Sequence, residues 1–340
     1  MLDFFYQYGL FAAKALTWVL AIGFVIALIT NAATRPKKGA NRLNLEDVSA
    51  DLRQQQQQLQ MACALNDAER KQLKQQFKAA AKVDKKAQDD RSRLYVLDFN
   101  GSMDAHEVSG LSREITGLLQ LAKAGDEVLV RLESGGGVVH GYGLGAAELA
   151  RIKAHGLKLT VAVDKVAASG GYMMACVAER IIAAPFAIVG SIGVVAQMPN
   201  FNKFLKNKDI DVELHTAGAY KRTLTLFGEN DDVGRAKFQQ ELEVIHHRFK
   251  DFIAQNRPAL ALEKVATGEH WLGTDALELG LVDELSTSSE YLLSQSALKR
   301  VIRLHYQPKK NLKDKLSQAV ELGISRAVLK FISAAQRPFS

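Results

Sequence analysis

The stretch Leu157-Lys-Leu-Thr-Val-Ala-Val-Asp-Lys-Val-Ala-Ala-Ser-Gly-Gly-Tyr-Met-Met-Ala-Cys-Val-Ala178 reads as a strand, a turn and a helix in succession. Leu157 to Val163 starts with alternation and passes into an apolar run, the pattern of a strand entering a core. Ala167 to Gly171 is a turn of small residues, and Tyr172 to Ala178 has the character of a buried helix. Ser169 sits between strand and helix, where the positive end of the helix dipole favours developing negative charge. The Gly170 N–H is placed to meet an oxyanion, and glycine there lets backbone approach a substrate closely. The same residues also describe a plain Ser-Gly-Gly turn with a capping serine, so this segment alone assigns no chemistry.

Working outward, Lys221 follows Ser169 by 52 residues in Ala219-Tyr220-Lys221. A serine hydroxyl is a weak nucleophile until a base accepts its proton. A lysine held neutral by burial or by a neighbouring cation can do so, and Ser–Lys pairs are known variants of the Ser-His-Asp arrangement. A second glycine cluster, Glu133-Ser-Gly-Gly-Gly137, ends the strand-like run 127–132 and precedes a helical pattern from Tyr142 to Ala154. Such a turn exposes N–H groups. It has neither the Gly-x-x-x-x-Gly-Lys-Ser/Thr nor the Gly-x-Gly-x-x-Gly pattern, so nucleotide phosphate is the weaker use. Further strand-like runs at 94–99 and 180–195 alternate with helical patterns, continued at 232–256 and 273–280. The alternation predicts an α/β domain rich in parallel sheet.

Rival assignments are less economical. Lys165 reads as a solvated loop lysine. His140 or His215 with Asp164 would complete a triad that no spacing rule forbids. The eight histidines show no His-Glu-x-x-His spacing, so no metal centre is expected, and nothing calls for a cofactor. His246-His247 reads as the polar face of a long helix. Cys63 and Cys176 form no Cys-x-x-Cys, and Cys176 reads as a packing residue.

Several blocks together make a more specific pattern: Arg131-Leu-Glu-Ser-Gly-Gly-Gly137, Asp164-Lys-Val-Ala-Ala-Ser-Gly-Gly-Tyr-Met-Met174, Val189-Gly-Ser-Ile-Gly-Val-Val195, Ala217-Gly-Ala-Tyr-Lys-Arg222, Thr267-Gly-Glu-His-Trp271 and Leu279-Gly-Leu-Val-Asp-Glu284. In this order they resemble the signal peptide peptidase A family of serine proteases over roughly 94–290. The resemblance implies a crotonase/Clp-protease-like spiral of βα units. It implies Ser169 as nucleophile, Lys221 as general base, Gly136 and Gly170 as the oxyanion amides, and Ser191 as the residue that orients Lys221. It also implies apolar peptide substrates, such as signal-peptide or membrane-protein fragments, and a homo-oligomer enclosing its sites. The motifs occur once rather than in tandem, which fits self-assembly. One departure is Gly135, where the family usually has proline; proline would fix φ and stiffen the turn. Two other readings share features with this one. A crotonase-type acyl-CoA enzyme has the same architecture and glycine turns, and a non-catalytic membrane scaffold would need only the anchor.

That anchor is read from residues 1–33. Residues 15–29 are apolar apart from Thr17 and, with their flanks, approach the length a membrane helix needs. Lys14 can snorkel, and Tyr6, Tyr8 and Trp18 suit the interface. No basic segment precedes the run, which argues against a cleaved signal peptide. Arg35, Lys37, Lys38 and Arg42 follow it, and the positive-inside rule then places the body in the cytoplasm. The family resemblance places it on the outer side of a bacterial inner membrane, and the two expectations conflict. Residues 34–93 read as a basic, Gln- and Lys-rich helical stalk or linker. They hold 14 Lys/Arg against 8 Asp/Glu, most of the net charge of +7. A basic stretch beside an anchor fits anionic lipid headgroups rather than nucleic acid. Residues 291–340 read as an extension whose amphipathic pattern, from about Leu312 to Ala335, suits packing or assembly.

Overall fold

Parallel strands alternating with helices build the body of the protein, seen in a computed structural model that describes Thr17, residues 42–87 and residues 91–307. The chain runs β1 (Arg42–Asp47), α1 (Val48–Cys63), α2 (Asp67–Ala87), β2 (Arg93–Asn100), α3 (Val108–Leu121), β3 (Glu127–Glu133), α4 (Val139–Ala154), β4 (Lys158–Val163), β5 (Val166–Ala168) and α5 (Gly170–Ala175). It continues β6 (Arg180–Ala183), β7 (Ile188–Gly190), α6 (Asn202–Lys206), α7 (Asp232–Asn256), α8 (Leu262–Val265), β8 (His270–Leu272), α9 (Gly273–Glu278), β9 (Glu284–Leu285), α10 (Ser288–Ser296) and β10 (Arg300–Gln307). Residues 43–306 form one compact unit. The N-terminal apolar run, apart from Thr17, and the C-terminal amphipathic pattern lie outside the described residues. Among the described residues no helix is long and apolar enough to cross a membrane.

The main sheet has seven strands in the order β1-β10-β2-β3-β4-β6-β9. Its central pairings are parallel, with Leu97, Val130, Val161 and Ile181 in register across four strands. All four side chains are fully buried, because helices cover one face while Val48, Tyr291 and Leu292 pack on the other. A parallel sheet covered on both faces needs apolar residues at nearly every position, which is why these strands read as runs rather than alternations.

A second, three-stranded sheet, β5-β7-β8, places the site. After three of the main-sheet strands the chain steps into this layer: β4 continues into β5, β6 into β7, and β3 reaches it through a single bridge, Ser134 to Ala167. Backbone bonds lock the steps together: Ser134 N–H to Val166 O at 2.9 Å, Ala168 N–H to Ser134 O at 3.0 Å, and Ser169 N–H to Gly190 O at 2.8 Å. The turns leaving the layer, at Gly135–Gly137, at Ser169–Gly170 and after Gly190, therefore lie side by side.

Two differences from the sequence reading are instructive. The run at 180–195 is two strands, because Ala187 N–H bonds to Ala184 O at 3.0 Å and closes a turn between β6 and β7. The main sheet also extends past both edges of the segment 94–290: β1 begins inside the stretch read as stalk, and β10 lies in the stretch read as extension. Long-range partners hold these edges. Ser49 Oγ accepts from Val301 N–H at 2.8 Å, and Arg300 pairs with Asp47 at 2.9 Å. The rest of 42–87 is two helices joined by a short turn at 64–66, with Asp47 capping α1 through Ala50 N–H.

Candidate active site

Ser169 stands at the N-terminal end of α5 with φ 52° and ψ −118°. A left-handed φ is costly for a residue with a Cβ and persists only where neighbours over-determine it. Here β5 fixes the approach and glycine is the only residue that fits next. A Cβ on Gly170 would overlap the Tyr142 ring, and one on Gly171 would come within 2.6 Å of Ser134 O. The result is a half-buried serine projected into a cleft of 680 Å³.

That cleft brings together Ser169, Gly170, Gly136 and Ser191, four of the five residues expected from sequence. Gly136, at φ 89°, is packed so tightly that a Cβ there would lie 2.7 Å from Ser169 Cβ. Its N–H, however, donates to Ser134 Oγ at 3.1 Å. Among the described residues the N–H groups of Gly137 and Gly170 have no protein partner. Ser191 also has a positive φ, 51°, and its N–H bonds to Glu269 O at 2.6 Å.

Lys221 is the fifth expected residue, and the structure does not bring it to Ser169 within one chain. It lies exposed on a bend, its N–H bonded to Gly218 O at 3.1 Å, and does not line the cleft. The rivals fare no better. Lys165 pairs with Glu133 at 3.0 Å in solvent, His215 pairs with Glu213 at 3.1 Å, and His140 is exposed. Asp164 accepts from Ser288 N–H at 2.7 Å and from its hydroxyl at 2.5 Å, so it serves the start of α10. Cys176 is buried, which pushes its thiol up to about 12. Among the described residues no group of three or more His, Cys, Asp or Glu is placed to hold a metal.

His246 departs from the polar helix face expected of it. It lines the cleft and its Nε2 lies 3.2 Å from Ile192 O. A carbonyl only accepts, so Nε2 carries the proton. The signal was present in the spacing: His246, Phe249 and Ile253 recur at i, i+3 and i+7, one face of α7, and the latter two are buried. Ser134 and Tyr142, buried beneath the turns, also escape the sequence reading, since nothing local marks them.

A serine on a strained strand-to-helix turn, beside unpartnered glycine amides in a cleft, is the arrangement of a hydrolase built on an α/β scaffold. Residues 3–149 match peptidase family S49 N-terminal, and residues 151–301 match peptidase family S49. The chain belongs to peptidase family S49. It is 44% identical to a probable protease SohB of Haemophilus influenzae, covering 99% of each chain. It is 43% identical to a probable protease SohB of Buchnera aphidicola subsp. Schizaphis graminum, covering 96% of this chain and 97% of the relative. A solved structure of a 1510-N membrane-bound stomatin-specific protease, a lysine-to-alanine mutant in complex with a substrate peptide, aligns at TM-score 0.40 and 16% identity. That alignment covers 68% of this chain and 98% of the other.

Proposed function

We propose that the protein is a membrane-anchored serine endopeptidase that cleaves apolar peptides with a Ser169–Lys221 dyad. The observation that carries this is Ser169, held at a strained φ in a cleft beside the unpartnered Gly137 and Gly170 amides. Ser169 attacks a peptide carbonyl, Lys221 in its neutral form takes the hydroxyl proton, and the amides stabilise the oxyanion. Lys221 returns the proton to the leaving amine, and water then hydrolyses the acyl-enzyme. Ser191 orients the lysine. Of the amides, Gly170 keeps the role expected of it, while Gly137 takes the place expected of Gly136, whose N–H is occupied. Met173, Val194, Ile245 and Phe249 among the lining residues favour apolar side chains. The steps from main sheet to small sheet to helix fit the expected spiral of βα units, and residues 1–33 supply the anchor in a bacterial inner membrane.

Lys221 needs a dry environment to be neutral, and its own chain leaves it in water. A neighbouring copy supplies that environment in this reading. The segment carrying Lys221 exposes Val195, Phe204 and Tyr220, at 92%, 62% and 61%, an apolar surface suited to a second subunit. Docked there, the segment carries Lys221 into the neighbour's cleft. The test is complementation. Ser169→Ala and Lys221→Ala are each expected to lose peptide turnover, with fluorophosphonate labelling lost in Ser169→Ala. Co-assembled from mixed unfolded or dissociated subunits, the two variants are expected to regain turnover, because one contributes serine and the other lysine. Full turnover by Lys221→Ala alone would end the dyad assignment; mixed oligomers that stay dead would end the exchange between copies.

A further inference from the structure

Beneath the cleft lies a pair of hydroxyls that the reaction as described does not use. Ser134 and Tyr142 are buried, at 2% and 0% exposure, and their hydroxyls are hydrogen-bonded to each other. Tyr142 OH also donates to Ser102 O at 2.8 Å, and Ser134 Oγ lies 3.3 Å from Gly101 O. The donor count fixes the direction of the chain. Tyr142 has one proton and gives it to Ser102 O, so its oxygen accepts. Ser134 gives its one proton to the Tyr142 oxygen, and its own oxygen accepts Gly136 N–H at 3.1 Å. Every buried donor is satisfied, so the arrangement is rigid rather than frustrated.

The pair touches both glycine turns of the cleft. Ser134 holds the Gly136 amide, and the Tyr142 ring occupies the space a side chain on Gly170 would need. Tyr142 is itself fixed edge-on to Phe99, with centroids 6.4 Å apart. On the far side of the turn, Gly137 backs onto Met103 O, which accepts Val138 N–H at 2.9 Å. With the amide before it tied down and the amide after it bonded away, Gly137 N–H, like that of Gly135, has no protein partner among the described residues.

We infer that Ser134 and Tyr142 are positioning residues for the oxyanion site: they sequester Gly136 N–H so that Gly137 N–H is presented with Gly170 N–H to the substrate oxygen. The inference rests on the serine-protease reading of this cleft. An alternative purely structural role, satisfying a buried turn, would alter stability without separating transition-state from ground-state binding.

The experiment uses the full-length protein in detergent or lipid with an apolar reporter peptide. Tyr142→Phe keeps the ring and removes the hydroxyl, Ser134→Ala removes the link to Gly136, and Ser134→Thr restores a hydroxyl. Loss of a whole oxyanion donor costs ~100- to 1,000-fold in kcat, so mis-aiming one is expected to cost ~10- to 100-fold. The expected result is that fall in kcat for Tyr142→Phe and Ser134→Ala with KM changed less than about twofold. Affinity for a peptide boronate, which forms a tetrahedral adduct, falls in parallel, and Ser134→Thr recovers most of the loss. Folded Tyr142→Phe protein with unchanged kcat and boronate affinity would overturn the inference, even if Ser134→Ala fails to fold. Wild-type turnover that survives Ser169→Ala would instead remove the protease reading on which it rests.

Discussion

Backbone strain of the kind Ser169 carries costs on the order of 1–3 kcal/mol, and stability alone would select against it. Glycine reaches φ 52° without a Cβ, whereas alanine inherits the strain. Both Ser169→Gly and Ser169→Ala are expected to lose peptide turnover, but Ser169→Gly to be more stable than Ser169→Ala by about 1 kcal/mol; paired thermal melts check this. Gly135 gives the converse case. It has no left-handed φ and open space where a side chain would start. Gly135→Pro is therefore expected to raise stability by about 0.4–1 kcal/mol and to leave kcat intact, read by denaturant titration beside turnover; a fall in stability would show that proline does not fit the turn. Ser169 and Gly170, which the local sequence marks, and Ser191, which only the family resemblance suggests, owe their places to the turns they sit in. The aim of the Gly136 N–H was not legible, because it depends on Ser134 and on a tyrosine in the following helix.

At the scale of elements, α7 shows how a helix can be found correctly and its face misjudged. Its span 232–256 follows from periodicity, but whether its half-polar face meets water or a cleft depends on the 190–193 turn, 54 residues away in the Ile192–His246 contact. Without the imidazole donor the Ile192 carbonyl loses its tie to α7. His246→Phe is expected to cost about 1 kcal/mol in stability and to lower turnover by loosening the Ser191 turn, with His246→Gln retaining more of both. The packing of α3 on β10 offers a pH-dependent case. Glu114 on α3 is buried, accepts from Tyr306 N–H at 2.7 Å with one oxygen, and leaves the other without a partner among the described residues. Burial raises its carboxyl from 4.5 to about 7; the Tyr306 bond opposes the rise, Asp98 adds to it and Arg303 opposes it. The folded chain thus holds this proton more tightly than the unfolded one. The contribution is complete below pH 4.5, falls as pH rises, and is lost above about 7. The difference in melting temperature between wild type and Glu114→Gln is expected to change across that window and flatten on both sides. A constant difference from about pH 4 to about pH 9 would place the titration elsewhere.

For the whole molecule, the parallel core was readable because strands buried on both faces are apolar runs, as the row from Leu97 to Ile181 shows. The sheet edges were not, because β1 and β10 are half-polar and are held by partners some 250 residues apart, as in Ser49 with Val301. Surface that one chain leaves uncovered raises the remaining question of scale. Phe204 is exposed, and Phe201 stacks on Phe227 at 6.1 Å, so the apolar segment around Lys221 is organised rather than frayed. If a second copy covers it and receives Lys221 in return, a charge there should damage assembly and catalysis together while sparing the fold. Phe204→Glu is expected to melt within about 0.5 kcal/mol of wild type, to sediment as a smaller species, and to lose turnover. Wild-type specific activity should rise with concentration through the same transition, since a serine and a lysine from different copies meet only in the assembled state. A dissociated Phe204→Glu protein with full turnover would mean that each chain carries its own base, and Lys221 would then have to reach Ser169 by movement within one chain.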